Sequence, residues 1–171
     1  REANPERDLA RFRPTMFLGP GIDAGVAESL LVQHGIGYSK PTDLPARVAA
    51  HLAAGQTVVL ARGRMEFGPR ALGHRSVLCA ARESGVNDWL NQKLKRTEYM
   101  PFAPMTLEDE AAESYCHVTG NVGAYRFMTV TANCSERMKS ASPAVVHVDG
   151  TARPQLIVRE DEAFVDAVLR E

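Results

Sequence analysis

The feature that most constrains the fold of this chain is a short apolar run that leads directly into a turn rich in glycine and arginine. Residues 57–61 (TVVLA) form the apolar run, a pattern typical of a strand buried on both faces of a sheet. A predicted helix precedes it, starting at Thr42 or Asp43 and ending at Gly55. This order predicts an α/β fold in which the turn at residues 62–68 lies at the carboxyl end of a sheet strand, where open α/β sheets commonly bind ligands.

Positive charge is concentrated in this turn and in the residues that follow it. Residues 62–96 contain eight basic and three acidic residues, whereas the whole chain has a net charge of −1. Gly63, Gly68 and Gly73 alternate with the arginines and can bring backbone N–H groups close to a ligand. Apolar residues also run through the stretch, so parts of it are expected to be buried, and buried arginines need partners. We therefore expect an anionic ligand here; a solvated basic surface is the alternative.

The glycine spacing of residues 68–73 (GPRALG) matches that of a phosphate-binding P-loop. A P-loop then requires Lys and Ser or Thr, which reach the terminal phosphates and Mg²⁺. This chain has His74 and Arg75 at those positions, with Ser76 one place too late. We therefore reject a P-loop, but polyphosphate binding by Arg70 and Arg75 remains attractive because a guanidinium pairs with two oxygens at once.

The bulk properties are those of a globular domain with an ordinary core. Of the 171 residues, 44% are hydrophobic and 24% charged, and no apolar run approaches the ~20 residues that span a bilayer. Three widely spaced cysteines indicate reduced thiols and a cytoplasmic protein. Residues 1–15 are charged and proline-containing, which predicts a linker, and the chain begins with Arg1, so we interpret it as a piece of a longer protein.

Local patterns predict further elements along the chain. A helix is expected after Asp23, ending near Gly35, and a last helix is expected after Asp161. Further strands are predicted at residues 16–19, 76–81, 127–131 and 145–148, and further helices at residues 86–96 and 107–115, the latter an acidic surface helix. Cys116 and His117 have no further Cys or His at metal-ligand spacing, so a metal site is not expected there.

Three separated blocks of sequence resemble the carbamoyltransferase family of nodulation and antibiotic-tailoring enzymes. They are GRMEFGPRALGHRS, NDWLNQKLKRTEYMPFAP and HVDGTARPQ, in that order. The resemblance is to the C-terminal, YrdC-like domain of those enzymes. It implies that residues 16–171 form an open twisted mixed sheet with helices packed on it, lacking the last C-terminal elements, after an interdomain linker at residues 1–15. The apolar edge left by the missing elements predicts that the isolated chain forms a homodimer or aggregates through that edge.

The resemblance also implies a chemistry. Members of the family use ATP and carbamoyl phosphate to form carbamoyl adenylate in the YrdC-like domain, and an N-terminal Kae1-like domain that binds a metal ion transfers the carbamoyl group to a hydroxyl acceptor. Mg²⁺ would accompany the ATP without a dedicated protein cage. The first step brings polyanions together, so it mainly demands positive charge and preorganised hydrogen-bond donors.

On this resemblance we assign candidate roles to eight residues. Phosphate or nucleotide binding is expected of Arg70, His74, Arg75, Ser76 and Thr151, and direct participation in catalysis of Lys95, Arg96 and Arg153.

Two positions depart from the family pattern. Met100 stands where relatives usually have Arg, and His74 where many have Asn. The same fold would also support an RNA-binding module or an enzyme that forms threonylcarbamoyl adenylate. Nucleic-acid binding is not expected, because Phe67, Trp89, Tyr99 and Phe102 have apolar neighbours that place them in the core rather than on a stacking surface.

Overall fold

The computed structural model describes residues 15–95, 101–118 and 122–171. Its α-helices are α1 (Ala24–Gln33), α2 (Leu44–Ala53), α3 (Val86–Lys93), α4 (Ala111–Ser114), α5 (Val122–Tyr125), α6 (Glu136–Ala141) and α7 (Ala163–Arg170). Its strands are β1 (Val58–Ala61), β2 (Arg75–Leu78), β3 (Met105–Leu107), β4 (Tyr115–Cys116), β5 (Ala132–Cys134), β6 (Thr151–Ala152) and β7 (Gln155–Ile157). Short 3₁₀ turns occupy Glu108–Glu110 and Pro143–Val145. The predicted linker, residues 1–15, lies outside the described residues except for Thr15.

The fold is mixed α/β with open sheets, as predicted. Strands β1 and β2 pair antiparallel, β3 and β7 pair parallel, and β4, β5 and β6 form an antiparallel sheet in that order. In the described part of the chain the strands are thus divided among three small sheets. The one parallel pair in the described ranges, β3–β7, is central to the site because β3 follows the second sequence block and β7 starts at the last residue of the third.

The first two helices begin and end as the sequence predicted. The Asp23 carboxylate accepts a hydrogen bond of 2.9 Å from the backbone N–H of Val26. The Asp43 carboxylate accepts one of 3.0 Å from Ala46, and a proline occupies the first turn of α2. Each cap satisfies an N–H group that would otherwise have no partner within the helix. The last helix differs from prediction, because Glu162 rather than Asp161 stands at its N-cap and makes no side-chain capping bond.

Strand β1 is buried on one face only, so the prediction that both of its faces are buried was wrong. Leu60 is 7% exposed, but Val59 is 76% exposed. The physical reason is the pairing: β1 forms a two-stranded antiparallel sheet with β2, in which Val59 lies opposite Val77. An apolar run gives no information about how many layers cover a strand, and here one face remains open to solvent.

Three predicted strands and one predicted helix take other forms. Residues 16–19 form no strand, and their neighbour Gly21 makes an isolated bridge to Arg64. Residues 127–131 form turns that precede β5. Residues 145–148 start at the last residue of the 3₁₀ turn Pro143–Val145 and form no strand. The predicted acidic helix at 107–115 is instead a 3₁₀ turn followed by a single turn of α-helix, α4, between β3 and β4. The last residue of the predicted helix, Tyr115, is buried in the core. In each case a short segment adopts the backbone that tertiary packing requires rather than the one its local pattern favours.

Two groups of contacts form the interior. One core cluster joins α4, α6 and the β4–β5–β6 sheet to β7, and it includes Tyr115, Met138 and Leu156. Helix α7 contacts α2 and β3 and buries Val165 and Val168. The apolar face of the last helix is therefore covered at Val165 and Val168, whereas Leu169 remains 38% exposed. Within the described ranges, no helix combines the length and the apolar character needed to cross a membrane.

Candidate functional site

The basic turn between β1 and β2 is organised by an acidic residue, Glu66. Its Oε1 atom accepts hydrogen bonds from three backbone N–H groups, those of Leu72 (2.7 Å), His74 (2.9 Å) and Arg75 (3.1 Å). Burial opposes ionisation of this carboxyl group, but the hydrogen bonds from the backbone outweigh it and lower the pKa of Glu66. The turn thus closes around an anion supplied by the chain itself.

Gly73 sits where this turn approaches helix α7 and strand β3. Its φ is +100°, and a Cβ atom at this position would lie 3.2 Å from Cγ2 of Val165. Its N–H group donates a 2.8 Å hydrogen bond to the hydroxyl of Ser76. A side chain here would meet both an unfavourable backbone conformation and a close contact, so glycine allows the turn to pack tightly.

His74 is enclosed in a charged cluster rather than open to a ligand. Its ring stacks on Phe17 with centroids 3.7 Å apart, its Nδ1 lies 2.6 Å from the carbonyl oxygen of Arg64, and its Nε2 lies 3.2 Å from Oε1 of Glu162. Since a carbonyl oxygen only accepts, Nδ1 carries a proton. The Nε2–Oε1 contact then needs a second proton, held by either His74 or Glu162. Burial raises the pKa of Glu162, while Arg62 and His74 oppose that shift.

The arginines of the turn fall into two groups. Three of them are bound by the protein: Arg62 donates to Glu162 and to the Gly73 carbonyl, Arg64 to the carbonyls of Leu18 and Gly19, and Arg75 to the carbonyls of Arg62, Gly63 and His74. Arg70 is half-buried, and no hydrogen bond or ion pair holds its guanidinium within the described ranges. Arg70 is therefore the arginine of this turn that remains available to an external anion.

The third sequence block contributes a structured turn and a second available arginine. The Thr151 hydroxyl donates a 2.8 Å hydrogen bond to Asp149 Oδ1, and His147 Nδ1 lies 3.0 Å from the same hydroxyl oxygen. The bonds from the hydroxyl and the N–H of Thr151 lower the pKa of Asp149. Arg153 is half-buried, and its Nε atom is buried without a hydrogen-bond partner among the described residues. Buried N–H donors without partners are uncommon in proteins.

Gln155, at the start of β7, joins all three sequence blocks. Its backbone N–H donates to the Pro104 carbonyl at 2.8 Å, which ends the second block. Its side-chain Nε2 donates to the Leu72 carbonyl at 2.9 Å, within the first block. Gln155 itself ends the third block and is 2% exposed. The three blocks are therefore neighbours in space, although 83 residues separate Leu72 from Gln155.

Comparison with known proteins identifies the family. Residues 49–171 match the model of the family described as "Carbamoyltransferase C-terminus". The chain belongs to this family. The matched residues include all three blocks that meet at Gln155.

Several curated relatives extend beyond the matched part. Nodulation protein NolNO of Sinorhizobium fredii is 36% identical over 158 residues, which are 90% of this chain and 23% of that protein. Nodulation protein U of Azorhizobium caulinodans is 40% identical over 124 residues, 72% of this chain and 21% of that protein. An uncharacterised protein of Methanocaldococcus jannaschii is 34% identical over 122 residues, 68% of this chain and 19% of that protein. The chain thus spans about a fifth of the length of these relatives.

The second block of this carbamoyltransferase C-terminal domain is only partly described. Lys95 is exposed, follows the end of α3 with a φ of +51°, and its side chain makes no contact that holds it in the described part. Arg96, Tyr99 and Met100 lie outside the described residues. Asn87 on α3 anchors the block, because its side chain donates to the Ala144 carbonyl and accepts a 3.3 Å hydrogen bond from the N–H of Phe102.

Sequence reasoning missed three residues that build this site. Glu66, Glu162 and Gln155 hold the basic turn, the His74 cluster and the junction of the blocks. Glu66 is an acid within a basic stretch, and Gln155 is a polar residue that opens an apolar run, residues 155–158 (QLIV). Both patterns could have indicated buried polar groups with structural partners. Glu162 had no such local signal.

Two aromatic residues of the domain lie on the surface, against prediction. Phe67 is 67% exposed and Trp89 is 48% exposed. Trp89 and Arg82 line a groove of about 940 Å³ between the end of α2 and the start of α3. Their apolar neighbours in sequence do not cover them, because the turn and α3 each present one face to solvent.

Proposed function

We propose that this domain forms carbamoyl adenylate from ATP and carbamoyl phosphate as part of an O-carbamoyltransferase. Family membership supports carbamoyl transfer, and the observation that carries the finer assignment is the Nε of Arg153, which is buried without a hydrogen-bond partner among the described residues. Such an arginine suits a ligand that brings several anionic oxygens. Arg70 offers a second such guanidinium from the turn that Gln155 joins to the Arg153 segment.

In the proposed step, carbamoyl phosphate first yields carbamate and inorganic phosphate by hydrolysis. A carbamate oxygen then bonds to the α-phosphorus of ATP as the bond from that phosphorus to the leaving pyrophosphate breaks. Arg70 and Arg153 would bind phosphate oxygens and stabilise the charge that develops on them. Lys95 and Arg96 would add positive charge from the second block, and Thr151 would donate from the third. A different part of the protein, a Kae1-like domain, would pass the carbamoyl group to a hydroxyl acceptor.

The structure modifies the assigned roles of three residues in this proposal. Arg75, His74 and Ser76 already bind backbone or side-chain groups of the turn, so we propose that they shape the phosphate site rather than contact the phosphates. Within the described ranges, no three His, Cys, Asp or Glu side chains lie close enough to hold a metal ion. We propose that Mg²⁺ would arrive bound to the phosphates of ATP, where it would neutralise charge.

Isothermal titration of the chain with ATP in the presence of Mg²⁺, and separately with carbamoyl phosphate, tests the proposal. Wild type should bind both, and Arg153→Met should weaken the binding of at least one by about 30-fold, because a charged contact to a phosphate is lost. Arg47→Met, at an exposed position on α2, is the matched control and should bind as wild type does. Wild-type affinity in Arg153→Met would overturn the assignment of this arginine.

A second function, RNA binding, is favoured by one observation. Phe67 and Trp89 expose aromatic rings, and Trp89 lines a groove together with Arg82, an arrangement that single-stranded RNA uses for stacking. Filter binding with a structured RNA that contains unpaired loops would test it. RNA binding that is lost in Trp89→Ala, together with no binding of ATP or carbamoyl phosphate, would favour this function over adenylate formation.

A further inference from the structure

A small cavity lies beside the junction of the three sequence blocks. It has a volume of about 90 Å³, and the residues that line it include Phe17, Leu72, Arg126, Gln155 and Glu162. Thr15, which is exposed, also lines it, so one wall lies at the molecular surface. Since one water molecule needs roughly 10–15 Å³ of cavity volume measured in this way, the cavity has room for a group of several heavy atoms.

One polar atom at this cavity has no partner. The Nε2 atom of Gln155 donates to the Leu72 carbonyl, and because a carbonyl only accepts, this bond fixes the orientation of the amide. The other amide atom, Oε1, is buried without a hydrogen-bond partner among the described residues, and the residue is 2% exposed. A buried acceptor left without a donor is costly. The chemistry that would satisfy it is an N–H or O–H donor.

The charged residues around the cavity are already balanced. Glu162 is paired with Arg62 and His74, and Arg126 is paired with Asp161. An anionic group placed among these pairs would lose its hydration without gaining an available cation. The cavity therefore suits an uncharged group that donates hydrogen bonds.

The two available arginines flank the cavity along the chain. Arg70 lies two residues before Leu72, and Arg153 lies two residues before Gln155, and two residues of extended chain span at most about 7 Å. A molecule with an anionic end and an uncharged N–H end could therefore contact an arginine with the first and the cavity with the second. We propose that the cavity binds the carbamoyl NH₂ group of the substrate, with Gln155 Oε1 as its acceptor and the phosphate end held outside by Arg70 and Arg153.

This subsite rests on the proposed function, and it makes that function selective. Carbamoyl phosphate and acetyl phosphate differ in one place, where NH₂ replaces CH₃. A methyl group cannot donate to Gln155 Oε1 and would leave the buried acceptor unsatisfied. Isothermal titration of the chain with freshly prepared solutions should therefore show carbamoyl phosphate binding about tenfold more tightly than acetyl phosphate. Equal affinity for the two would overturn the subsite.

Two variants test the position of the subsite. Val158→Phe fills the cavity from a lining residue and leaves Gln155 itself unchanged in sequence, and it should remove the preference for carbamoyl phosphate while ATP binding persists. Val59→Phe makes the same change at an exposed site on β1 and should keep the preference. Gln155→Met removes Oε1 at similar side-chain length and should also abolish the preference. A tenfold preference retained in Gln155→Met, or in folded Val158→Phe, would contradict the proposal.

A neutral pair of probes separates failure of the subsite from failure of the proposed function. Methyl carbamate and methyl acetate again differ by NH₂ and CH₃ but carry no phosphate. In NMR titrations, methyl carbamate should shift the Gln155 side-chain amide resonances, whereas methyl acetate should not. That shift, without binding of ATP or carbamoyl phosphate, would refute adenylate formation and support the cavity as an amide site. If ATP binds but neither methyl carbamate nor carbamoyl phosphate perturbs Gln155, the cavity holds water only and the subsite is refuted.

Discussion

Gln155 donates a hydrogen bond of 2.9 Å from Nε2 to the backbone carbonyl of Leu72, across 83 residues of sequence. This bond connects the parallel pair β3–β7 to the basic turn between β1 and β2. Without it, a buried carbonyl in the turn would lose its side-chain donor, and the segment carrying Arg70 would have one fewer link to the segment carrying Arg153. The geometry of the candidate phosphate site therefore depends on a residue that need not contact the phosphates.

Gln155→Met should lower the free energy of unfolding by about 1 kcal/mol, because leaving the Leu72 carbonyl without this donor costs more than removing the unsatisfied Oε1 atom gains. The change keeps the volume of the side chain similar, so packing losses should be small. Gln92→Met, at an exposed position of α3, is the control and should change stability by less than about 0.5 kcal/mol. Urea denaturation followed by circular dichroism measures both. Equal stability of the two variants would show that the bond contributes little.

Arg75→Ala should weaken folding, whereas Arg70→Ala should weaken ligand binding. Arg75 donates to the carbonyls of Gly63 and His74, so its removal should cost about 1–3 kcal/mol of stability. Arg70 has no such partner in the described ranges, so Arg70→Ala should unfold as wild type does but bind carbamoyl phosphate or ATP about 30-fold more weakly. Thermal unfolding and isothermal titration separate the two effects. An Arg70→Ala variant that binds normally would place the phosphate site elsewhere.

Glu66 should make the stability of the domain depend on pH in a defined direction. Its folded-state pKa is lowered, so its contribution is present above the unfolded value of about 4.3 and is lost as the pH falls through the folded value. Glu66→Gln should therefore lose about 2 kcal/mol at pH 7, and its difference from wild type should shrink as the pH falls below about 4.3. Urea titrations across this range provide the measurement. Glu160→Gln, at an exposed position, should follow wild type throughout, whereas a pH-independent loss in Glu66→Gln would contradict the account.

Gly73→Ala should be more destabilising than Gly35→Ala, although both glycines have positive φ. At Gly35 the φ is +64° and an added Cβ meets no atom within 4 Å, whereas at Gly73 the φ is +100° and the Cβ would approach Val165. We expect a loss of about 1 kcal/mol for Gly35→Ala and about 3 kcal/mol for Gly73→Ala. Differential scanning calorimetry would measure the difference. Similar losses at both positions would mean that the contact with α7 relaxes at little cost.

Sequence reasoning succeeded where the determinants are local. Asp23 and Asp43 cap their helices through hydrogen bonds to residues three positions later, and the glycines that follow these helices are visible in the sequence. The alternation of arginines with glycines likewise indicated a tight basic turn. Such interactions span one turn of chain, so single-sequence patterns contain the information.

It failed where a residue's role depends on distant partners. Val59 and Phe67 were predicted to be buried because their neighbours are apolar, yet the elements that would cover them are absent from their side of the described structure. Arg75 and Arg70 look equivalent in sequence, but the partners of Arg75 are carbonyls that only the folded turn brings together. Gln155 contacts Leu72 through a packing of strand against turn that no local pattern encodes.

The measurement that tests the central claim most directly is exchange of labelled pyrophosphate into ATP. It should be made on the polypeptide encoded by the complete gene that contains this domain, with Mg²⁺ present. Reversible adenylate formation predicts exchange that appears only when carbamoyl phosphate is added. Equal exchange without carbamoyl phosphate, or exchange when threonine and bicarbonate replace it, would contradict the assignment of this domain to carbamoyl adenylate formation.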